Sequence, residues 1–584
     1  MLRRNSLWRK GVCILLAIGI ISSPTFAQTV SAEEGSIEEQ PAVVVGSNLV
    51  RVREGAGTGY KEVTQLVQYQ PITILEKTTA SNNAVWYRIK FTRNGKDEEG
   101  YMHSNYVMRT TPIEEGDSSD EAFEEAIAAF PDSYRPTLRG LHKMFPNWIF
   151  EPVLTGLSWE DVVAEEYVLK RNLVPHFETD ISKSSAFSWK SVRDGDYDWD
   201  SNTWISHDGQ WVGASKAVIA YYLDPRNFLT ADYRITQFET LSYAEGVQNK
   251  SGLEAILDDT FMADNTEYDY YEYFLKAGQE ANVSPYFLAS RCLQEVGREG
   301  SSTTKGEYPG YEGYYNFFNI GASAGADGSG AVENAMKRAQ KEGWDSPEKS
   351  IIGGAEFLGR NYIAKGQNTF YFQKFNVVNK EGLYSHQYMQ NLSAASTEGA
   401  SYQKIYKDWE NAAIVYRIPV YGDMPDEPAP LPTGLTNDYK TLSTLTINGK
   451  EIEGFNGEKT YYEITRPAGL AGFQGSCAMK TAEVAVPETV FFTTGIFEKE
   501  VVVTAEDSSS QSYLLHITVE EGMWGDTNGD GSVTPIDALV ILDAIAGGYK
   551  EEGDGISALN VDGKGSVEPI DALAILDYIA AGDY

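Results

Sequence analysis

A chain of 584 residues is too long for one hydrophobic core and is expected to fold as several domains. Its formal net charge of −36 at pH 7 disfavours binding to nucleic acid and to anionic surfaces. With three cysteines in the whole sequence, no disulfide framework is expected, so stability must come from cores or from metal.

Residues 1–32 have the pattern of a secretory signal peptide. Basic residues up to Lys10 precede an apolar run from Gly11 to Ile21, and small-residue cleavage sites follow at Ala27 and Ala32. The apolar run is too short to span a membrane. No other stretch is long and apolar enough for a membrane helix, so we expect a secreted protein without a membrane segment.

Residues 41–109 are predicted to form a small β-rich domain, because short alternating runs are separated by glycines and other turn residues. The segments LVRVREGAGTGY, WYRI and GYM resemble the bacterial SH3 domain, an SH3-like β-barrel. The resemblance implies binding of cell-wall peptide or glycan. A barrel that serves only as a spacer is the alternative.

The acidic segment 110–128 shows no strand pattern and is predicted to be a linker or a short solvated helix. The largest domain is expected at 129–420, mixed at first and helical from about residue 268. Its helices are predicted at Tyr270–Ala281, Ser284–Val296, Ala331–Glu342 and Pro347–Ala364.

The helix Ser284–Val296 carries the candidate catalytic residue, Glu295, in its last turn. Ser284 suits the N-cap, Pro285 suits the first helical position, and Gly297 can end the helix. At helical spacing Glu295 lies at the edge of an apolar stripe. A carboxyl group held against apolar surface has a raised pKa, as the general acid of a glycosidase requires. The helix alone favours the alternative, a solvated glutamate in the last turn.

A glycine-interrupted loop with six tyrosine and phenylalanine rings follows this helix in GEYPGYEGYYNFFNIG. Such a loop suits the binding of a sugar chain by stacking and hydrogen bonds. Cys292 is expected to be a core residue, because the sequence positions no histidine to make it a nucleophile.

The domain at about 129–420 resembles the bacterial β-N-acetylglucosaminidases of the autolysin type. The resemblance rests on LASRCLQEVG, NFFNIG, EGWDSPEKSIIGGAEFLGRNYIAKGQNTFY and SHQY, in that order. It implies a mainly α, lysozyme-like catalytic domain that needs no cofactor for catalysis, with Glu295 as the catalytic acid. The substrate-binding candidates are Asn316 and Phe318 of NFFNIG, Tyr388 of SHQY and Tyr315 of the tyrosine loop.

A retaining or inverting glycosidase also needs a second carboxylate. The candidates in the sequence are Glu307, Glu312, Asp327 and Glu333. The N-acetyl group of the substrate could serve as the nucleophile instead.

Residues 421–438 are rich in proline and acid, and a semi-rigid linker is predicted there. Residues 439–520 are predicted to be antiparallel β and resemble cadherin-like or immunoglobulin-like sandwich modules. A spacer or a weak binding module is expected.

Two calcium-type loops, each followed by a predicted helix, lie in residues 524–584. Calcium takes oxygen ligands from loop positions 1, 3, 5, 7, 9 and 12, with glycine at position 6. The first loop supplies Asp526, Asn528, Asp530, Ser532, Thr534 and Asp537, and the second supplies Asn560, Asp562, Ser566, Glu568 and Asp571. Lys564 stands at position 5 of the second loop, so either Glu568 and water compensate or that site is weak.

These paired loops resemble the dockerin domain, a small α fold that binds cohesin modules of scaffoldins. Pro535-Ile536 and Pro569-Ile570 occupy the paired positions that, in this family, help to select the cohesin. Their similarity implies a pseudo-twofold binding surface.

The sequence therefore predicts a multidomain, extracellular peptidoglycan hydrolase that cuts β-1,4 bonds at N-acetylglucosamine and associates with the cell wall or with a cohesin-bearing, cellulosome-like complex. One alternative is a lytic transglycosylase or muramidase on the same polymer. Another is a non-catalytic wall-binding component. No nucleic-acid or membrane partner is expected.

Overall fold

The computed structural model describes residues 39–582, apart from 94, 111–119, 181–182, 264, 325–329, 407–408, 548–549 and 553–558. The predicted signal peptide therefore lies outside the described residues. The described chain forms two compact units. The first runs to Ser185 and includes Trp189–Ser191 and Ser206–Thr433, and the second comprises Ala186–Ser188, Val192–Ile205 and Gly434–Tyr584.

The first unit begins with the β domain that the sequence predicts. Within the described part of residues 39–110, seven strands form one sheet in the order β3-β2-β6-β5-β4-β1-β7. Their bounds are Gln40–Val44 (β1), Leu49–Arg53 (β2), Glu62–Val67 (β3), Pro71–Thr79 (β4), Val85–Arg93 (β5), Lys96–His103 (β6) and Val107–Arg109 (β7). Val52 is fully buried while Arg51 is exposed, as the alternation predicts. A Cβ atom at Gly100 would lie 2.4 Å from Val52 Cγ1, so close packing requires glycine there.

The rest of the first unit is mainly helical. Its helices and strands in chain order are α1 (Glu121–Ile127), α2 (Arg135–Met144), β8 (Trp148–Ser158), α3 (Trp159–Glu166), β9 (Leu173–Pro175), β12 (Trp211–Gly213), α4 (Lys216–Leu223), α5 (Lys250–Leu257), α6 (Tyr270–Ala281), α7 (Pro285–Val296), α8 (Ala331–Glu342), α9 (Pro347–Asn361), α10 (Phe370–Lys374), α11 (Ala394–Gln403) and β13 (Ile414–Gly422). Two short strands that come between β9 and β12 in the sequence belong to the second unit, β10 (Tyr197–Asp198) and β11 (Thr203–Trp204). The helices predicted from residue 270 onward are thus present, with α9 ending at Asn361 instead of Ala364.

The acidic segment before this part is packed where it is described. Phe123 and Ile127 of α1 are buried, and Phe123 stacks on His142 with ring centroids 3.8 Å apart. The expectation of a linker or solvated helix is therefore wrong for residues 121–127, because one face of the helix is apolar.

The proline-rich segment predicted as a linker also lies against the first unit over part of its length. The Arg226 guanidinium donates hydrogen bonds to the backbone carbonyls of Pro425, Asp426 and Glu427, and Asn227 donates to that of Ala429. These bonds hold the segment to the turn after α4.

The second unit contains a β-sandwich. Its strands are β14 (Leu442–Ile447), β15 (Lys450–Glu451), β16 (Tyr461–Pro467), β17 (Gly469–Ala471), β18 (Phe473–Cys477), β19 (Glu483–Ala485), β20 (Val490–Phe492), β21 (Gly495–Thr504) and β22 (Ser510–Glu520). Strands β21 and β22 pair antiparallel, as predicted, but β16 and β22 pair in parallel. The core includes Leu445, Tyr462, Val501, Tyr513 and Leu515.

The C-terminal part of this unit consists of α12 (Pro535–Ile545), β23 (Lys550–Glu552) and α13 (Pro569–Ala581). Helices α12 and α13 pack together around Ile541 and Ile575, and the fully buried Phe491 of β20 belongs to the same cluster. Strand β23 pairs with β20. The sandwich therefore supplies part of the core beneath the two helices.

Candidate active site

Glu295 lies in the last turn of α7, where the sequence places it. The Ser284 hydroxyl accepts a hydrogen bond from the Phe287 amide, Pro285 is the first helical residue, and Gly297 ends the helix at φ +74°. The predicted helix and both of its caps are confirmed. Local sequence is sufficient here because each cap involves residues within one turn.

The partner of Glu295 is a cation on its own helix. Arg291 Nη2 lies 2.6 Å from Glu295 Oε1, and both side chains are 22% exposed. The carboxylate that the sequence places at the edge of an apolar stripe is therefore ion-paired. Burial alone would lower the pKa of Arg291, but Tyr402, Glu295 and Tyr388 raise it overall, so the guanidinium stays charged. The four-residue spacing of Arg291 and Glu295 is a signal that sequence analysis could have used.

Asn319 of the NFFNIG segment holds the end of the same helix. Its Nδ2 atom donates a hydrogen bond of 3.0 Å to the backbone carbonyl oxygen of Glu295. Asn319 adopts φ +49°, a left-handed conformation that asparagine tolerates better than most residues. The loop thereby satisfies a carbonyl group of the last helical turn.

Two predicted substrate contacts in this segment are contradicted. The fully buried Asn316 donates to the carbonyls of Ile320 and Ala335 and accepts from the Ile320 amide. Phe318 is also buried, and its ring fills the space where a Cβ at Gly354 would stand. The polar atoms of Asn316 are hydrogen-bonded inside the protein, and the ring of Phe318 is packed there. Both side chains therefore support the loop and do not face a ligand.

Tyr315 is half-buried in the tyrosine loop, so its ring remains partly available to a ligand. Its ring covers Gly306, where an added Cβ would approach Tyr315 Cζ to 2.7 Å. Tyr315 is also a hydrogen-bond partner of Tyr268.

Tyr388 is 42% exposed and faces the edge of Tyr362, with ring centroids 6.1 Å apart. Burial raises its pKa, as do Glu398 and Glu295, while Arg291 lowers it. These effects place the Tyr388 hydroxyl in the same electrostatic environment as Glu295. The structure thus brings Tyr388 and Glu295 together from positions far apart in the chain.

The SHQY segment that carries Tyr388 is anchored on both sides. The Tyr388 amide donates to the Gln373 carbonyl over 2.8 Å, and Gln387 Nε2 donates to Glu166 Oε1 over 2.6 Å. The Gln367 amide group donates to the His386 carbonyl over 2.7 Å. The segment is therefore held by buried polar groups that sequence reasoning did not single out.

Among the predicted candidates for a second carboxylate, Glu333 pairs with Lys337 on its own helix and Glu312 accepts from the Gly310 amide. Glu307 is exposed, and Asp327 lies outside the described residues. Glu398 of α11, a carboxyl group that is not among those candidates, interacts electrostatically with Arg291. No local sequence signal points to it.

Cys292 is fully buried, and burial raises its pKa well above the ordinary value. A thiol with a raised pKa is a poor nucleophile. The prediction that Cys292 is a core residue is confirmed.

The first calcium-type loop is built around two buried carboxylates. Asp526 accepts hydrogen bonds from the amides of Gly529, Asp530 and Gly531. Asp537 accepts from the amides of Thr527, Asn528 and Thr534. Burial raises the pKa of Asp526, its backbone hydrogen bonds lower it, and the neighbouring Asp537 raises it.

This arrangement fits a divalent cation, because two buried carboxylates face one another at the ends of an oxygen-rich loop. The dockerin resemblance implies calcium, for which Asp526, Asn528, Asp530, Asp537 and the Ser532 carbonyl remain predicted ligands. Within the described residues, no group of three His, Cys, Asp or Glu side chains is placed closely enough to hold a metal. The Thr534 hydroxyl caps α12 by accepting a hydrogen bond from the Ile536 amide.

The second loop repeats this pattern with one difference. Asp571 accepts from the amides of Asp562 and Glu568, and the Asn560 side chain accepts from the Lys564 amide. Lys564 Nζ lies 3.8 Å from Asp562 Oδ2, so an ammonium group stands beside a predicted calcium ligand. Ser566 Oγ donates to Glu568 Oε1 at 3.4 Å.

The predicted cohesin-contacting residues open the two dockerin helices. Pro535 and Pro569 occupy the first helical positions, and Ile536 and Ile570 are 58% and 49% exposed. Further exposed apolar side chains continue along both helices at Leu539, Leu542, Ile545, Leu573 and Leu576. An apolar surface of this kind is typical of a protein-binding site.

A groove with a volume of about 960 Å³ lies in the first unit, between the seven-stranded sheet and the helical part. Tyr106, Trp189 and Trp211 contribute aromatic surface, and Arg51, Arg53 and Lys183 contribute positive charge. Among the described lining residues none is acidic, although the chain as a whole is strongly acidic. Within the described part of the chain, no helix has the length and apolar character needed to cross a membrane.

Comparison with known proteins identifies two segments by family. Residues 47–108 match the bacterial SH3 domain and residues 524–580 match the dockerin type I domain. A bifunctional autolysin of Staphylococcus epidermidis is 30% identical over 156 residues, which are 25% of this chain and 11% of that protein. A beta-N-acetylglucosaminidase of Bacillus subtilis is 26% identical over 223 residues, 38% of this chain and 24% of that protein. The chain thus spans less than a quarter of the length of these curated relatives.

Solved structures give the same names at lower similarity. The crystal structure of Major Bifunctional Autolysin is 22% identical with a TM-score of 0.35, covering 47% of this chain and 98% of that chain. That of S. aureus glucosaminidase B is 23% identical with a TM-score of 0.35, covering 47% and 94%. These TM-scores are too low to support an argument about the fold. The chain therefore carries segments that match the bacterial SH3 and type I dockerin families, and it is similar in sequence to bacterial autolysins and a β-N-acetylglucosaminidase.

Proposed function

We propose that this protein is a secreted peptidoglycan hydrolase that cleaves β-1,4 bonds at N-acetylglucosamine, with Glu295 as the general acid. The observation that carries the proposal is the position of Glu295. Its carboxylate lies at a helix end that Asn319 holds, beside Arg291 and in the electrostatic environment of Tyr388. The similarity to autolysins and glucosaminidases supports the same substrate class.

In the proposed reaction, protonated Glu295 transfers its proton to the glycosidic oxygen while the bond from that oxygen to the sugar C1 breaks. Water forms the new bond to C1, either directly or after the acetamido oxygen of the substrate has bonded to C1 and is displaced in turn. The proton that the water releases passes to the Glu295 carboxylate or to solvent. Because Arg291 lies 2.6 Å from the carboxylate, Glu295 has a cationic partner whenever it is deprotonated. The half-exposed rings of Tyr388 and Tyr315 would bind the glycan by stacking and hydrogen bonds.

The experiment is a turbidity assay on purified peptidoglycan with the full-length chain. Glu295→Gln should reduce lysis by at least about 100-fold, the range for removing a general acid. Glu299→Gln is the matched control, since Glu299 is exposed just beyond the helix. If Glu295→Gln lyses the wall at the wild-type rate, the assignment is wrong.

Mass spectrometry of the released muropeptides separates the hydrolase from the alternatives. Cleavage as proposed leaves N-acetylglucosamine at the new reducing end. An anhydromuramic product would show a lytic transglycosylase, and an N-acetylmuramic reducing end would show a muramidase. The absence of any cleavage by folded protein would leave a wall-binding component.

We further propose that the groove of the first unit contributes to wall binding by the SH3 domain. Its aromatic and basic lining suits the sugar faces and carboxylates of peptidoglycan. Tyr106→Ala should reduce co-sedimentation with purified sacculi, whereas Tyr60→Ala should not. Both tyrosines are exposed in the same domain, but only Tyr106 is among the groove residues described. Equal binding by both variants would contradict this assignment.

The dockerin segment is proposed to attach the enzyme to a cohesin module in a calcium-dependent manner. The exposed Ile536 and Ile570 at equivalent helix positions support this proposal. A panel of cohesin modules measured by calorimetry would test it, with Ile536→Asp and Ile570→Asp each expected to weaken binding. Full binding in excess chelator would contradict the role of calcium.

A further inference from the structure

Helices α7 and α11 bring two separate glutamates to one arginine. The Phe287 ring of α7 stacks on the Tyr402 ring of α11 with centroids 5.5 Å apart and an interplanar angle of 17°. Phe370 packs against both rings, at 6.2 Å from Phe287 and 4.8 Å from Tyr402. These contacts fix the two helices side by side.

Successive turns of each helix extend from this aromatic contact. Along α7, Phe287, Arg291 and Glu295 follow at intervals of four residues and therefore share one face. Along α11, Glu398 and Tyr402 are spaced in the same way. Arg291 hydrogen-bonds the Tyr402 hydroxyl, so the guanidinium reaches from α7 to α11.

Glu398 interacts with the groups that surround Glu295. Arg291 lowers the pKa of Glu398, Glu295 raises the pKa of Arg291, and Glu398 and Glu295 both raise the pKa of Tyr388. Burial raises the pKa of Glu398, and Arg291 opposes that rise. Arg291 therefore contacts Glu295 at 2.6 Å and interacts electrostatically with Glu398.

We propose that Glu398 is a positioning residue for the proposed glycosidase reaction, acting through Arg291 to set how readily Glu295 holds its proton. An ionised Glu398 offsets part of the positive charge that Arg291 presents to Glu295. This added negative charge favours the protonated form that a general acid needs. The inference rests on the proposed function of Glu295.

The other charged groups on elements packed against α11 have their own partners. On the short 3-10 helix Tyr233–Phe238, Arg234 is paired with Asp232 at 2.8 Å. On α10, Lys374 donates to the Asn172 side chain over 2.5 Å. Arg291 is therefore the cation that acts on Glu398 within the described residues, and Tyr388 and Tyr402 are the titratable hydroxyls beside it.

The test is the pH dependence of peptidoglycan lysis by full-length wild type, Glu398→Gln and Glu398→Asp. A general acid loses activity as pH rises through its titration, which gives the basic limb of the profile. Glu398→Gln should move that limb to lower pH by about one unit, the size of a neighbouring-charge effect. Glu398→Asp keeps the charge and should give an intermediate position. Glu280→Gln, an equal charge change at an exposed site of α6, should not move it.

A double variant tests the route through the guanidinium. In an Arg291→Gln background, Glu398→Gln should move the basic limb by less than half as much as it does in the wild type. A uniform loss of rate without a limb shift, an unchanged profile, or a shift to higher pH would each overturn the inference. If wild type itself lyses nothing at any pH, the proposed function fails and this inference falls with it. Should Glu398→Gln not fold, Glu398→Asp alone decides, because its limb must differ from that of wild type.

Discussion

The side chain of Asn319 donates a 3.0 Å hydrogen bond to the backbone carbonyl of Glu295, which joins the NFFNIG loop to the end of α7. The bond fixes the last turn of α7 against a loop that packs into the core through Asn316 and Phe318. The position of the proposed acid therefore depends on a loop residue that takes no part in the proposed reaction.

Replacing Asn319 by glycine should lower the lysis rate about fivefold, since loss of one such hydrogen bond corresponds to about 1 kcal/mol. Glycine is chosen because it accepts the positive φ of +49° at this position without strain. The control is Asn334→Gly, which removes a similar bond from Asn334 to the Ser323 carbonyl. Wild-type activity of the Asn319 variant would show that the loop does not position Glu295.

Because the pKa of the buried Glu239 is raised, we expect the stability of the first unit to depend on pH. Burial raises its pKa from 4.5 to about 7, and the Tyr406 hydroxyl, which donates to its carboxylate over 2.6 Å, opposes the rise. Between these two values the folded state binds more protons than the unfolded state, so stability falls as pH rises. The loss from this group should reach about 3 kcal/mol by pH 8.

Denaturant unfolding of wild type and Glu239→Gln at several pH values measures this contribution. Glutamine can still accept the bond from Tyr406 but does not titrate, so its stability should fall less between pH 5 and pH 8. Glu280→Gln, at an exposed position, should follow the wild-type curve. Parallel curves for wild type and Glu239→Gln would contradict the raised pKa.

Calcium should stabilise the second unit through the first dockerin loop. At a free concentration 100 times the dissociation constant, one site adds about 2.7 kcal/mol to the free energy of unfolding. Asp526→Ala should remove most of this gain, whereas Asp562→Ala should remove less, because Lys564 already stands beside Asp562. Calorimetric unfolding with calcium and with chelator measures both, and equal losses would contradict the difference between the loops.

The effect of pH on this unit should change sign with calcium. Without the metal, the raised pKa of Asp526 means that its carboxyl group stays protonated to higher pH in the folded state than in the unfolded state. The free energy of unfolding therefore falls as pH rises through this range. With calcium, the ionised form is the ligand, and protons compete with the metal at low pH. Unfolding midpoints at pH 5 and pH 7, with and without calcium, should therefore move in opposite directions. Midpoints that move the same way would exclude this role for Asp526.

Phe491 predicts that the sandwich and the dockerin helices unfold together. It is fully buried in one cluster with Ile541 and Ile575, so truncation to alanine should cost about 3–5 kcal/mol. Tyr461→Ala is the control, since Tyr461 is 41% exposed on the sandwich. Urea unfolding in saturating calcium provides the measurement. A dockerin that unfolds unchanged in Phe491→Ala would mean that the sandwich is a spacer, as the sequence first indicated.

Much of the candidate site could be predicted from sequence because its parts are local. The caps of α7 involve neighbouring residues, and the calcium-type loops repeat a short spacing of oxygen donors. The sequence could not show that Asn316 is buried in the loop while Asn319 bonds to the end of α7, because the direction of each side chain depends on what the loop packs against. The ion pair of Arg291 with Glu295 could be predicted from their four-residue spacing, but the contact of Arg291 with Tyr402 could not.

The sequence by itself determined the strands of the SH3 domain, the helix that ends in Glu295 and the two repeated loops of the dockerin. Those features follow from alternation, capping and short-range spacing, all of which act within a few residues. Only the tertiary structure decided that Glu398 interacts electrostatically with Arg291, the partner of Glu295, and that Phe491 enters the core beneath α12 and α13. Such contacts join residues far apart in the chain, and they form only when separate helices and strands bury their apolar faces against one another.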